Sequence, residues 1–190
     1  KDGRYFEEFD ALKQVRKTRG EELYDRAFYA PSQGAVSRIK RHIPITEEFA
    51  VLLNRPMFKQ AWKTAKRLAA QDGRPIPDNI QLTANGFEKV SYIPGKSGQK
   101  PQVIRQNVKS VDAELLHWIK LGADDVLYKA EPKAVKAGGA GPTEYGLMVN
   151  AKEMFLSYIE NYNPHYKAAR EVWSGDSSMM GAMQEGLDLF

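Results

Sequence analysis

The stretch RPMFKQAWKTAKRLAAQ, residues 55–71, decides the fold class. At about 100° per residue, Phe58, Trp62, Ala65 and Ala69 fall within one narrow stripe. Lys59, Lys63, Lys66 and Arg67 fall on the other side. This is the period of a helix with one buried face and one charged face. Pro56 is tolerated in a first helical turn, Asn54 stands where a cap is wanted, and Gly73 supplies the stop. The small alanines beside Phe58 and Trp62 let a neighbouring helix approach closely.

Working upstream, Thr46 reads as the N-cap of a short helix, with Glu47 and Glu48 in its first turn and Phe49, Leu52 and Leu53 as its apolar side. Ile43-Pro44-Ile45 is extended, because proline restricts its predecessor. Arg38-Ile39-Lys40-Arg41-His42 is a basic run after a loop at Pro31-Ser32-Gln33-Gly34. Residues 5–29 read as helix, with Phe6, Phe9 and Leu12 every three residues. Gly20 is expected to interrupt it before Leu23, Tyr24, Ala27 and Phe28 resume.

Downstream, prolines and glycines between residues 74 and 110 exclude a long helix. Phe87 to Tyr92 alternates and could pair with Gln102 to Arg105 as a β-hairpin across Pro94–Lys100; otherwise this is a long irregular arm. Ser110 or Asp112 starts the next helix, whose stripe is Val111, Leu115, Trp118, Ile119, Gly122 and Val126, ending near Lys129. Lys133–Gly141 has the composition of a flexible linker. Thr143 opens a helix to about Tyr162. Asn163 and Pro164 stop it and start another, as N-cap and first helical residue. Ser174-Gly175-Asp176-Ser177 is expected to break that helix before a last one carrying Met179, Met180, Met183 and Leu187.

The fold class is therefore mainly α: six or seven short helices with Gly/Pro breaks, and one hairpin at 87–105 if the arm is ordered. Four segments are expected: 1–45, a helical pair at 46–74, the arm at 75–109, and a helical module at 110–190 with a linker at 130–142. The 190 residues suit one domain or two small ones. The chain begins at Lys1 and ends on Leu187-Asp188-Leu189-Phe190, so an excerpt of a longer polypeptide or a processed product is expected.

Charge is uneven. The net value is +4, but residues 55–74 hold six Lys/Arg against Asp72 alone, whereas residues 143–190 hold seven acids against Lys152, Lys167 and Arg170. One end can lean on a polyanion, or acidic and basic ends of neighbouring copies can meet. Solvated helix faces are the plainer account of the same pattern. Arg38, Lys40, Arg41, Lys59, Lys63, Lys66 and Arg67 are the candidate polyanion or partner contacts. Met179, Met180, Met183 and Leu187 are the candidate docking face, since methionine makes an adaptable apolar surface.

With no cysteine, disulfides, thiolate zinc sites and cysteine catalysis are excluded. There is no Gly-x-Ser-x-Gly elbow and no phosphate-binding glycine loop. His42, His117 and His165 have no second ligand at metal spacing. Adjacent acids such as Glu47-Glu48 and Asp124-Asp125 are not the two carboxyls that flank a sugar bond in a cleft. No catalytic residue, cofactor or metal is expected.

Three segments form a recognisable set. The first is Leu53-Asn54-Arg55-Pro56, then Ala65-Lys66-Arg67-Leu68-Ala69-Ala70 and Gly73-Arg74-Pro75. The second is Leu116-His117-Trp118-Ile119-Lys120 with Ala123-Asp124-Asp125. The third is Asn163-Pro164, Tyr166-Lys167-Ala168-Ala169-Arg170, Trp173-Ser174-Gly175-Asp176-Ser177 and Met183-Gln184-Glu185-Gly186. In this order they resemble a helical module of large virion-associated proteins of tailed bacteriophages and prophages, the internal virion or DNA-ejection proteins. The resemblance covers roughly residues 45–75 and 110–190. It implies an ejected structural protein of the phage particle, stored inside the head near the portal. Full-length relatives can carry a peptidoglycan-cleaving domain elsewhere, but the residues of this segment show none of that chemistry, so no enzyme is expected here. Its implied partners are other virion proteins, namely the portal and other ejection proteins, together with further copies of itself as a homo-oligomer. It also implies non-specific contact with DNA and transient contact with the host envelope during genome delivery. Two other classes remain open on the residues: a nucleic-acid-binding protein using helix 55–71, and an envelope-acting enzyme domain.

Overall fold

The computed structural model describes residues 2–31, 38–96, 98, 100–136 and 143–188, and within them the side chains other than those of residues 2–6, 8–9, 132–136, 143, 176–177 and 179–188. In chain order the elements are α1 (Asp2–Phe28), β1 (Tyr29–Ala30), β2 (Ile39–Lys40), β3 (His42–Pro44), α2 (Glu47–Leu53), α3 (Pro56–Gln71), β4 (Ile80–Thr83), β5 (Gly86–Ile93), β6 (Gln102–Asn107), β7 (Ser110–Asp112), α4 (Ala113–Lys136), α5 (Thr143–Tyr162) and α6 (Pro164–Asp188). Among the described residues the fold is mostly helical, with six helices and a few short antiparallel strands. Contacts group the chain into two units, residues 42–159 and residues 1–41 with 160–190.

In the 42–159 unit, the first helices form where their caps are. The Thr46 hydroxyl accepts the Phe49 N–H at 3.3 Å and opens α2. Asn54 does not cap α3: it is the C-cap of α2, with helical φ and ψ, and its N–H donates to the Ala50 carbonyl. The α3 N-cap is Arg55, which offers no side-chain bond. Proline at the first helical position has no N–H to satisfy, so the cap is less needed there. At the other end Gly73 takes φ 75°, and the Gly73 and Arg74 N–H groups reach the Ala70 and Ala69 carbonyls at 3.1 and 2.9 Å. That pair of bonds is a Schellman closure, for which glycine is suited.

The buried stripe of α3 is the one its period predicts: Phe58, Ala61, Trp62, Ala65 and Ala69 are all buried. Across it lies α4, opened by the Asp112 carboxylate, which accepts the Leu115 N–H at 2.7 Å. The two helices touch backbone to backbone. A methyl group on Gly122 would stand 2.9 Å from the Ala61 carbonyl carbon and closer still to its oxygen. Leu115, Leu116, Ile119 and Ala123 of α4 complete the seam. From α5, Phe155 stacks on Phe58 and Phe49 at 5.1 and 5.6 Å, while Tyr158 lies flat on Phe49 at 3.9 Å and donates its hydroxyl to the Pro44 carbonyl.

The 75–109 segment is not an irregular arm. Strands β4, β5 and β6 form one antiparallel sheet in that order, with Val90 opposite Arg105 and Tyr92 opposite Val103. Its buried Phe87 meets the Trp62 ring edge-on at 5.7 Å, which seats the base of the sheet on α3. β3 and β7 pair separately, Ile43 opposite Val111. The expected end of α4 near Lys129 and the linker at 130–142 are also corrected: the helix runs on to Lys136. The Lys129–Asp125 pair, at 2.6 Å and one turn apart, supports the helix where it was expected to end, and the helix passes Pro132 although that residue has no N–H to donate. Residues 137–142 of that linker lie outside the described residues.

In the other unit, α1 and α6 run antiparallel. Asn163 is buried and does two jobs: its carbonyl oxygen caps the Tyr166 N–H at 3.2 Å and its amide donates to the Ala27 carbonyl at 2.7 Å. Tyr166, fully buried, meets Tyr24 edge-on at 5.7 Å. Gly20 does not break α1. The Trp173 ring lies against it, so a Cβ there would come within 2.6 Å of the indole. The expected break at 174–177 is likewise absent. The Ser178 hydroxyl donates back to the Ser174 carbonyl at 3.0 Å, and α6 continues without interruption. β1 and β2 pair Tyr29 with Lys40, and the Arg41 N–H reaches the Phe28 carbonyl. Residues 32–34 of the expected loop, and the side chains of Phe6 and Phe9, lie outside the described residues.

Candidate functional site

The basic face of α3 follows directly from its buried one. With Phe58, Trp62 and Ala65 fixed inward, Lys59, Lys63, Lys66 and Arg67 are turned out and exposed. Arg67 bonds Gln71 one turn on at 3.1 Å, and the Lys66 ammonium lies 5.7 Å from the centre of the Trp62 ring. Lys59, Lys63 and Lys66 enter no ion pair among the described residues. From Lys59 to Arg67 the charges span about 12 Å of helix.

Arg38, Lys40 and Arg41 belong to the other unit, so the seven candidate cations fall into two separate sets. Arg38 is exposed and pairs with Asp25, its guanidinium 5.8 Å from the centre of the Tyr29 ring. Arg41 donates to the Arg26 carbonyl at 2.9 Å. Both therefore also tie the β1–β2 ribbon to the end of α1. The backbone of Met179, Met180, Met183 and Leu187 lies in α6, but their side chains fall outside the described residues.

Sequence reasoning did not find the cleft of about 720 Å³ between the start of α3, the middle of α4 and the first half of α5. Its floor is apolar, from Met57, Val126, Met148 and Ala151, and its polar groups include Arg55, Lys129 and Glu144. Among the described residues of α5 the buried side chains begin at Ala151, followed by Phe155, Leu156 and Ile159, whereas Glu144, Tyr145, Leu147 and Met148 line the cleft. Such a volume is within the range of ligand clefts. Its lining comes from three helices far apart in the chain, so no local motif announces it.

Of the histidines, His42 and His165 are exposed, and His117 is half-buried beside Trp118. Burial, with Lys120 and Arg74 nearby, pushes the His117 pKa down to about 3, while Asp124 works the other way. His117 is therefore a neutral packing residue at ordinary pH. Asp124 itself is held between Lys120, at 2.6 Å, and Lys152 of α5. Arg74 bridges Asp72 at 3.0 Å and Glu114 at 2.8 Å, joining the closure of α3 to the start of α4. Among the described residues no three His, Asp or Glu side chains converge as metal ligands. Comparison with protein-family models, with curated protein sequences and with solved structures finds no match.

Proposed function

We propose that the chain is a structural and interaction module of an internal virion, or ejection, protein of a tailed bacteriophage. In this reading it is not an enzyme. It is held inside the particle near the portal, assembles with copies of itself, with the portal and with other ejection proteins, lies near DNA, and helps genome delivery across the host envelope. The observation that supports this best is where the family-like residues sit. Ala65 and Ala69 of the first segment and Leu116, Ile119 and Ala123 of the second are buried in the α3–α4 seam. Arg74 and Asn163 tie helix ends. The resembling residues build a scaffold, as the structural role requires. Sedimentation velocity at tens of micromolar, alone and with purified portal and partner ejection proteins, tests it. Self-association or co-sedimentation is expected; a monomer indifferent to all of them contradicts it.

A second reading, non-enzymatic nucleic-acid binding, is favoured by Lys59, Lys63 and Lys66, which are exposed and enter no ion pair among the described residues. Point charges one turn apart suit phosphates and read no sequence. Replacing all three by Gln is expected to lower the slope of log K against log salt on duplex DNA by about 3. An unchanged slope rejects this reading.

A further inference from the structure

β4 covers only the first half of β5: its four residues pair with Gly86 to Lys89, and beyond them β5 is paired by β6 alone. This distal hairpin is unusual in where its apolar side chains point. On one face Tyr92 and Val103 are directly opposite each other, and they are 67% and 48% exposed. On the other face Ile93 is 46% exposed, one pleat beyond the half-buried Ile104. A hairpin packed on a surface is apolar on one face and polar on the other. Here each face carries an exposed apolar side chain: Tyr92 and Val103 on one, and Ile93, opposite Gln102, on the other.

The charge is equally one-sided. From Lys89 to Lys109 there are five cations and no acid. Lys89, Lys96, Lys100, Arg105 and Lys109 are all exposed, and the nearest acid, Glu88, stands before the run and meets Arg105 at 3.6 Å. Lys96 and Lys100 flank the distal end, next to the exposed Tyr92, Ile93 and Val103.

We infer that the distal β5–β6 hairpin is a contact element for an anionic phospholipid bilayer, entering the headgroup region edge-on. A flat protein surface would cover one apolar face and leave the other wet. Nucleic acid would use Tyr92 for stacking but gains nothing from Ile93 and Val103. The boundary between headgroups and acyl chains is apolar around an inserted wedge, takes tyrosine readily, and attracts each lysine to its negative surface. No described helix is long and apolar enough to cross a membrane, so the contact is with the surface. The inference gives a surface to the envelope contact that the proposed function expects, but its observations come from the hairpin alone, outside the segments that carry the resemblance, so the vesicle test can fail without the sedimentation test and the reverse.

Flotation of the full chain with vesicles tests it. Vesicles containing phosphatidylglycerol are expected to bind at least about tenfold more tightly than pure phosphatidylcholine vesicles. Lys96→Gln with Lys100→Gln should weaken that binding by about fivefold per lysine. The triple Tyr92→Ser, Ile93→Ser, Val103→Ser should abolish it with the circular dichroism spectrum kept; should the triple misfold, the exposed lysine pair still decides. Lys59→Gln, Lys63→Gln and Lys66→Gln together should leave it unchanged. The inference is overturned by no binding to phosphatidylglycerol, by equal binding to both vesicles, or by loss of binding in the α3 variant. It is also overturned if the hairpin variants lose affinity for duplex DNA but not for vesicles.

Discussion

Replacing Gly122 by alanine puts one methyl group where α3 and α4 touch. That methyl would lie 2.9 Å from the Ala61 carbonyl carbon and nearer still to the oxygen, and both are backbone atoms that no rotamer change can move. The helices must separate, loosening Phe58, Trp62 and Ala65 against Leu115 and Ile119. Overpacking of this kind costs ~1–3 kcal/mol, and contact with backbone belongs at the upper end. Against it, alanine is better than glycine in a helix by ~1 kcal/mol. The net expectation is a loss of about 2 kcal/mol, seen as a drop in Tm of about 4–8 °C. Gly146→Ala in α5 is the internal control, since nothing lies within 4 Å of the new methyl group. There the helix term acts alone, and stability should rise by up to ~1 kcal/mol. Urea and thermal denaturation followed by circular dichroism measure both. If Gly122→Ala is as stable as the parent, or if the two substitutions shift stability in the same direction, the close α3–α4 approach is refuted.

Three further outcomes follow from single side chains. His117 has its folded pKa pushed below the unfolded value of 6.5, to about 3, so below pH 6.5 the unfolded chain binds a proton that the folded chain refuses. Its contribution is complete above pH 6.5 and is lost as pH falls toward 3, at up to ~1.4 kcal/mol per pH unit. His117→Gln should flatten urea-derived stability between pH 6.5 and 5, and an unaltered slope there would show that the ring titrates freely. Asn163→Ala removes both the α6 cap and the amide donor to Ala27, for a loss of about 2–3 kcal/mol by thermal melting; a change under ~0.5 kcal/mol would mean the two bonds do not form. Gly20→Ala forces the Trp173 ring to move and should destabilise, whereas combining it with Trp173→Ala should cancel most of the added cost; additivity in this double-mutant cycle argues against the contact.

Legibility depended on how local the deciding physics is. Caps at Thr46 and Asn163 act within three residues and are found where the sequence puts them, and of the two starts offered for α4 the cap is Asp112, Ser110 lying in β7. The α3 stripe is a periodic signal over about four turns and was readable outright; the β5–β6 alternation is shorter and left an irregular arm open as the other reading. Gly20 and Gly175 were misread because a glycine in a helical pattern is either a break or a space for something else. Only the fold brings Trp173, 153 positions away, onto Gly20. The β4–β5 turn at Ala84-Asn85 was missed; it closes on Gly86, which pairs with Thr83 and takes φ 96°. The linker reading rested on glycines that begin only at Gly138, so the residues before them stayed helical. Of the candidate site, the basic face of α3 was legible because it is the complement of the buried one. The cleft and the two-faced hairpin were not, since each depends on which neighbour fails to cover a side chain.

The proposed role places this chain inside a phage particle and takes it out again with the genome. Quantitative mass spectrometry on purified virions of the parent phage, before and after triggered DNA release, measures that directly. Peptides from residues 1–190 are predicted to be present in intact virions and depleted from the emptied particles. Their absence from intact virions, or equal amounts before and after release, would contradict the account.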